Sequence, residues 1–355
     1  MKSITIRRAT AALLSVCLLI GLTACGSGAP VSSAPPTTTT APTTTTTTAP
    51  PTWMNPLTGV QDLTTQNNRP IGFVVTDEDS KHIQLNIEHA DMYFEAETEG
   101  GIPRMLAIFS SVDRIPDAIG PVRSARPHFV KMAKSLDMIY CHVGGSKTGL
   151  NTIKELGVQD LGNEFEVNAI LKNSANLSWN RDAFTKAKVL PAIQKKKYKT
   201  TTTRNSPFEF GDKAGTSPAT TLVVRISDSY DMAFTYDAAS GLYQKHRNAL
   251  NTPIHTSYTG GTVTAKNVIV MYDRRFVDET YNNKQGGTTT RYNFDMNGGE
   301  GLLVSGGTSR PIRWKRTNNQ LTYYEADGAT KLTVAQGKTY ICLASTHLKD
   351  RTKVY

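Results

Sequence analysis

The chain has few cysteines and no closely spaced pair of them. Of its 355 residues four are cysteine, and no two are spaced as Cys-x-x-Cys. That spacing is typical of zinc ribbons and of thiol redox sites, so the sequence predicts neither. In the segment DMIYCHV, Ile139, Cys141 and Val143 alternate onto one strand face. This pattern favours a small buried thiol at Cys141 over a disulfide with Cys342.

Long apolar runs are also missing. The run Ala11–Leu22 is shorter than the roughly 20 residues that a membrane-spanning helix needs. It follows a basic N-terminus and ends in Leu-Thr-Ala-Cys-Gly, which resembles a bacterial lipoprotein signal. The resemblance implies cleavage before Cys25 and a diacylglycerol on its sulfur. We therefore expect residues 1–24 to be a signal peptide and Cys25 to be the lipid anchor. An ordinary secretory peptide cut nearby is the alternative.

Charge and bulky side chains are nearly absent from the segment that follows. Residues 26–52 consist almost wholly of Ser, Thr, Pro, Ala and Gly. Such a composition cannot bury a core, and repeated prolines favour extended conformations. We predict that residues 25–54 form a lipidated, disordered tether, which at about 3.1 Å per residue could reach about 80 Å.

The remaining chain is moderately basic. The formal net charge is +10, and the exported part keeps +7 because Lys2, Arg7 and Arg8 leave with the signal peptide. A basic exported protein attracts anionic lipid headgroups and anionic wall polymers. A charge of this size also serves solubility alone. Nucleic acid is not an expected partner for a tethered extracellular protein.

The pattern of apolar residues divides the exported part in two. In residues 55–205, apolar strands alternate with two helices, one starting at Pro127 and one ending at Gly157. Residues 210–355 are short β-rich runs separated by turn signals. The predicted fold class is therefore α+β. It has an N-terminal α/β domain with a mixed sheet and a mostly antiparallel, β-rich C-terminal domain.

The segment IGPVRSARP, residues 119–127, carries two arginines beside a predicted helix start. Helix N-termini attract anions, and arginine offers a planar fork to carboxylate or phosphate. The turn Gly144-Gly145-Ser146 also follows a strand and opens a helix. If the two preceding strands are parallel neighbours, both turns lie at one edge of the sheet, where such folds bind ligands. Arg123 and Arg126 are thus candidate anion-binding residues.

Internal pairing of these arginines is an equally open alternative. Glu95 and Glu99 are predicted to share a strand face, roughly 13 Å apart by strand rise, which is too far to share a proton. Either could pair with Arg104, Arg123 or Arg126 as a structural network.

No catalytic or metal motif is recognisable. His142 lies near Ser146, but the serine has no Gly-x-Ser-x-Gly context and no acid is evidently placed to orient the imidazole. This favours a structural histidine over a catalytic base. There is no His-Glu-x-x-His motif, so no metal site and no cofactor are predicted, and catalytic residues stay unassigned.

Several segments resemble the YerB-like lipoprotein family: NPLTG, RPIGFVV, ADMYFEAETEGGIPRMLAIFSS, IGPVRSARPHFV, DMIYCHVGGS and KNVIVMYD. The resemblance spans the chain from Asn55 to the C-terminus and is most specific over residues 90–146. It implies a two-domain bacterial surface lipoprotein and no established reaction. The positions that coincide with the family pattern are Glu95, Glu99, Gly100, Gly101, Arg104, Gly120, Pro121, Arg123, Ser124, Arg126, Pro127, His142, Gly144, Gly145 and Ser146.

The chain departs from that pattern at two places. Glu97 stands where family members tend to carry an apolar residue. Residues 175–178, Ala-Asn-Leu-Ser, lack the histidine and the aromatic residue expected around the Asn-Leu pair. The second departure weakens a catalytic interpretation more than a binding one.

The leading hypothesis is a membrane-tethered extracellular protein that binds an anionic ligand, such as a cell-envelope polymer. Arg123 and Arg126 would hold the anion, while Arg104 and Glu95 would orient them. Completing the predicted ligand-binding set are Glu99, His142, Gly144, Gly145 and Ser146. One alternative is a cell-envelope hydrolase that uses Glu95 or Glu99 with His142. The other is a scaffold that contacts a further envelope protein through its β domain.

Overall fold

The computed structural model describes residues 52–77, 84–162, 183–283 and 286–355. The predictions made for the signal peptide, for Cys25, for nearly all of the tether and for residues 175–178 lie outside these ranges. Within them, no helix is long and apolar enough to cross a membrane.

In its described ranges, the N-terminal half combines short strands with three α-helices. The predicted helices are confirmed: one begins at Pro127, and Gly157 ends the other in the left-handed conformation, with φ 57°. The elements are β1 (Trp53–Met54), β2 (Gln61–Leu63), β3 (Ile71–Thr76), β4 (Met92–Glu97), β5 (Pro103–Phe109), β6 (Ala118–Ile119), α1 (Pro127–Ser135), β7 (Ile139–Cys141), α2 (Lys147–Leu156), β8 (Phe184–Thr185) and α3 (Lys186–Lys195).

The C-terminal half is built of strands, as predicted, with a 3₁₀ segment at Thr346–Arg351. Its strands are β9 (Glu209–Phe210), β10 (Ser217–Pro218), β11 (Thr221–Arg225), β12 (Asp231–Asp237), β13 (Leu242–Lys245), β14 (Thr264–Ala265), β15 (Asn267–Asp273), β16 (Arg275–Asn282), β17 (Thr288–Phe294), β18 (Gly298–Ser305), β19 (Thr308–Thr317), β20 (Gln320–Glu325), β21 (Thr333–Val334), β22 (Thr339–Ser345) and β23 (Lys353–Val354).

One mixed sheet of ten strands runs through both halves. Its order is β10-β19-β18-β15-β22-β4-β5-β3-β7, and β20 pairs with β19. The pairs β15–β22, β22–β4 and β3–β7 are parallel, and the other pairs along this path are antiparallel. Because β22 lies beside β4, with Tyr340 opposite Tyr93, the C-terminal half continues the sheet that the N-terminal half begins.

Both faces of this sheet are covered, which explains why β4, β15 and β22 are buried at every position. On one face lies an antiparallel five-stranded sheet of order β14-β13-β12-β11-β23, whose Phe234 packs edge-on against Tyr340. On the other face lies α1, whose Phe129 packs against Phe94. Cys141 and Cys342 are free and buried in the first of these cores, which confirms the buried-thiol interpretation.

Candidate functional site

The segment of residues 119–127, which we call the arginine loop, contacts the turn of residues 144–146, which we call the Gly-Gly-Ser turn. The contact does not arise because the strands that precede the two segments are neighbours. The expectation of adjacent parallel strands is wrong: β3 lies between β5 and β7 and is antiparallel to β5. The loop reaches the turn because residues 122–125 bond first to strand β3 and then to the segment that follows strand β7. The N–H of Val143 donates to the carbonyl of Arg123 at 3.1 Å, and the N–H of Ser146 donates to Ala125 at 3.2 Å.

Glu99 collects two arginines into what we call the arginine clamp, formed by Glu99, Arg104 and Arg126. Arg126 donates through Nε to Glu99 at 2.9 Å and makes a second bond to the same carboxylate. Arg104 donates to Glu99 at 2.7 Å and to the carbonyl of Ser124 at 3.0 Å. Arg126 is only 4% exposed. Its guanidinium, which the sequence analysis predicts to hold an external anion, instead bonds the protein's own Glu99 carboxylate.

Electrostatics favour an ionised Glu99. Burial raises the pKa of its carboxyl, but the charges of Arg104 and Arg126 and the hydrogen bond from Arg126 outweigh burial and lower it to about 2. A carboxylate held in this way is a poor proton donor at neutral pH. The hydrolase hypothesis therefore gains no general acid from Glu99.

The hairpin of β16 and β17 packs against the clamp. The N–H of Gly100 donates to Thr290 at 2.9 Å, and the N–H of Tyr292 donates to Thr98 at 2.8 Å. Glu97, the departure from the family pattern, ends on Arg275 of this hairpin at 2.5 Å. The buried charge at Glu97 is thus matched by a cation from the C-terminal half.

Ser146 caps helix α2, and a glycine lets that helix approach the arginine loop. The hydroxyl of Ser146 accepts from the N–H of Gly149 at 3.0 Å and bonds Thr148, which in turn donates to Asp278 at 2.7 Å. A Cβ at Gly149 would stand 2.7 Å from the carbonyl oxygen of Ala125. The start of α2 is therefore fixed both to the loop and to the hairpin.

Gly149→Ala should destabilise the protein, although glycine-to-alanine changes inside helices usually stabilise by up to about 1 kcal/mol. The reason is the backbone contact with Ala125, which forces α2 away at a cost of about 1–3 kcal/mol. Urea unfolding measures the difference. A stabilised variant would show that α2 has room to move.

His142 is engaged at both ring nitrogens. Its Nδ1 lies 2.6 Å from the carbonyl of Gly144, and its Nε2 lies 3.0 Å from a carboxylate oxygen of Asp160. Because both ring nitrogens contact the protein's own acceptors and the side chain is 2% exposed, neither nitrogen is available to a substrate or to Ser146, which supports the structural interpretation.

Asp160 is the partner of His142 that sequence reasoning missed. Burial raises the pKa of this carboxyl, but the hydrogen bonds from His142 and from the N–H of Gly162 lower it overall. Asp160 follows His142 by eighteen residues, across α2, and no local motif marks the pair.

Glu95 lies elsewhere, so its predicted role in orienting Arg123 and Arg126 is wrong. It is 1% exposed and sits in a buried polar network with Asp77, Lys245 and Tyr340. Lys245 Nζ is 2.9 Å from Asp77 and 3.7 Å from Glu95, and the hydroxyl of Tyr340 donates to Glu95. Burial and the Asp77 charge raise the pKa of Glu95 well above its usual value.

The structure therefore separates the predicted residues into three places. Arg104, Arg126 and Glu99 form the clamp, and Arg123, Gly144, Gly145 and Ser146 lie beside it at the start of α2. His142 joins Asp160, and Glu95 belongs to the core. In the described part of the chain, no group of three or more His, Cys, Asp or Glu side chains is gathered as metal ligands would be.

These features define a β-rich α+β protein in which an arginine clamp lies where the inner strands β4 and β5 of a ten-stranded mixed sheet are connected. The chain belongs to the family described as "Protein of unknown function (DUF3048)". The model of that family's N-terminal domain matches residues 57–200, and the model of its C-terminal domain matches residues 222–341. These matches confirm the resemblance to the YerB-like family, which two further similarities support.

Two comparisons involve Bacillus subtilis proteins. The chain is 28% identical over 296 residues to "Putative lipoprotein YerB" of strain 168, covering 81% of this chain and 84% of that protein. It also resembles the crystal structure of the YerB protein from Bacillus subtilis, with a TM-score of 0.68 and 23% identity. That match covers 85% of this chain and 99% of the other, and it supports the fold.

Proposed function

We propose that the protein is a lipoprotein anchored through Cys25 on the extracellular face of the cell membrane, where it binds an anionic ligand of the cell envelope. The anchor is supported by the Leu-Thr-Ala-Cys pattern and by the lipoprotein name of the relative. In this proposal the residues between Cys25 and strand β1 connect the anchor to the folded part.

The observation that carries the binding proposal is the charge around the start of α2. The clamp itself holds two arginines against one carboxylate, and the Asp278 carboxylate bonds Thr148 at the start of the helix. The backbone of Arg123 is fixed on both sides, by Val74 at 2.7 Å and by Val143 at 3.1 Å. An arginine held rigidly beside a helix N-terminus favours phosphate or carboxylate.

Binding is favoured over hydrolysis for this site. Glu95 is buried in the core, and Glu99 is held ionised between two arginines. His142 has both nitrogens occupied. None of the three groups named for the hydrolase is therefore both accessible and able to transfer a proton. Contact with another envelope protein stays a prediction.

Arg123→Gln should weaken the binding of a glycerol-phosphate polymer at least tenfold and leave the fold intact. The substitution removes the arginine that the proposal assigns to the anion, while the clamp keeps its contacts. Isothermal titration of the full chain in detergent, at low and at high salt, measures the affinity and its screening.

The matched control is Arg351→Gln, which removes one positive charge from a side chain that is 62% exposed and lies outside this region. It should leave the affinity unchanged. If both variants lose affinity equally, the polymer responds to net charge alone and the assigned site is wrong.

A further inference from the structure

A second cleft, separate from the clamp, opens where the folded part begins. It has a volume of about 480 Å³ and lies between β1, the loop of residues 66–68 and the segment of residues 202–210. Trp53 lines it and is 39% exposed; the predicted disorder of residues 25–54 is wrong at this residue, because Trp53 and Met54 pair with β2 as strand β1. None of the residues that line this cleft belongs to the arginine clamp or to the proposed anion site beside it.

The walls of this cleft combine aromatic rings with amides. Phe210 lies flat against Gly59, where a Cβ would come within 2.3 Å of the ring, and this contact fixes the ring at the cleft wall. Gln66, Asn67 and Asn205 contribute exposed amides, and among the described residues none of these three makes a side-chain hydrogen bond. Each amide thus keeps both donor and acceptor capacity for a ligand.

The charges of the cleft are few and mostly paired. Lys331 and Glu209 form an ion pair at 2.9 Å, and Arg204 donates to Gln320. A ligand that fits this lining offers many hydroxyl and amide groups, an apolar face for the indole of Trp53 and little charge. Sugars meet this description, because their axial C–H groups form apolar faces between their hydroxyls.

A small apolar recess continues the cleft inward. It shares Pro56, Thr202, Arg204, Asn205 and Ser206 with the cleft and is closed by the apolar residues Leu57, Pro70 and Leu136. Its volume of about 10 Å³ is close to the minimum for one water-sized or methyl-sized group. An acetamido methyl group matches this size and the three apolar side chains, and the polar residues at the entrance can bond the acetamido amide.

We propose that this cleft binds a saccharide chain bearing N-acetyl groups, with a sugar face against Trp53. The amides of Asn67 and Asn205 would bond the hydroxyl and acetamido groups. The proposal is independent of the anion site, because the two sites share no residue.

The test uses the full chain in detergent and the tetramer of N-acetylglucosamine as probe, followed by isothermal titration. Trp53→Ala should weaken binding at least tenfold, and Trp53→Tyr should restore part of the affinity. Asn205→Ala and Asn67→Gly should each weaken binding severalfold. Glycine is chosen at Asn67 because its φ is 56°, which glycine adopts without strain.

Tyr258→Ala is the control, since this aromatic side chain is 48% exposed but does not line the cleft. It should bind the probe like the unmodified chain. Cellotetraose, which lacks the acetamido groups, should bind at least tenfold more weakly. Absence of binding by the N-acetylated tetramer, equal binding of cellotetraose, or full affinity in Trp53→Ala would each overturn the proposal.

Discussion

Arg126→Gln should lower the free energy of unfolding by about 3–5 kcal/mol, and Arg123→Gln, at a half-buried position, should lower it less. The two arginines stand three residues apart in one loop, yet their surroundings differ. Arg126 is 4% exposed and makes two bonds to Glu99 and one to the carbonyl of Ala125 at 2.7 Å. Its loss leaves a largely buried carboxylate with one arginine fewer.

Urea unfolding of both variants at neutral pH gives the comparison. Glu99→Gln serves as the complementary variant and should be at least as costly, because it leaves both Arg104 and Arg126 without their carboxylate. Equal and small losses for Arg126→Gln and Arg123→Gln would show that the clamp does not stabilise the fold.

Lys245→Met should also cost about 3–5 kcal/mol, because it removes the cation from the buried polar network that joins the two halves of the chain. Lys245 is 1% exposed and lies 2.9 Å from Asp77. Burial raises the pKa of Asp77, but the Lys245 charge, His255 and the hydrogen bonds from Glu95 and Lys245 together outweigh burial and lower this pKa to about 2. The double variant Lys245→Met with Asp77→Asn should cost less than the sum of the single variants, since it leaves no orphaned charge.

Glu95→Gln should be tolerated far better, costing no more than about 1 kcal/mol at neutral pH. Burial and Asp77 raise the pKa of Glu95, so the carboxyl keeps its proton in the folded protein and resembles an amide in charge. In the unfolded chain the group ionises above its ordinary pKa. The unmodified protein therefore loses stability from this group as pH rises above about 4.5, by at most about 1.4 kcal/mol per pH unit.

Glutamine at position 95 does not titrate, so the stability of Glu95→Gln relative to the unmodified chain should increase between pH 5 and pH 8. Thermal or urea unfolding across this range measures the difference. A difference that is constant with pH, or a loss as large as that of Lys245→Met, would show that Glu95 is ionised in the folded state.

Local signals predicted the elements well. Proline at the first turn of α1 and glycine after α2 mark boundaries through backbone geometry alone, and both lie where the sequence indicates. The β-rich character of residues 210–355 follows equally from short apolar runs and turn residues. The placement of β22 beside β4 has no such local signal, because it pairs strands about 245 residues apart.

The candidate site was predicted only in part, for a comparable reason. Alternation along a strand places Glu95 and Glu99 on one face, but β4 ends at Glu97, and a turn with positive φ at Gly100 and Gly101 follows. Glu99 thus leaves the strand pattern and turns to the arginines, while Glu95 stays in the core. Partners such as Asp160 for His142 and Lys245 for Glu95 come from distant segments that only the folded chain brings together.

We propose that this loop contains both a structural arginine, Arg126, and a ligand-binding arginine, Arg123. Urea unfolding of the unmodified chain, Arg123→Gln and Arg126→Gln, each with and without a glycerol-phosphate polymer, separates the two roles. We expect Arg126→Gln to be destabilised without the polymer. We also expect the polymer to stabilise the unmodified chain but not Arg123→Gln. Polymer-induced stabilisation that persists in Arg123→Gln, together with a stable Arg126→Gln, would show that these roles are assigned wrongly.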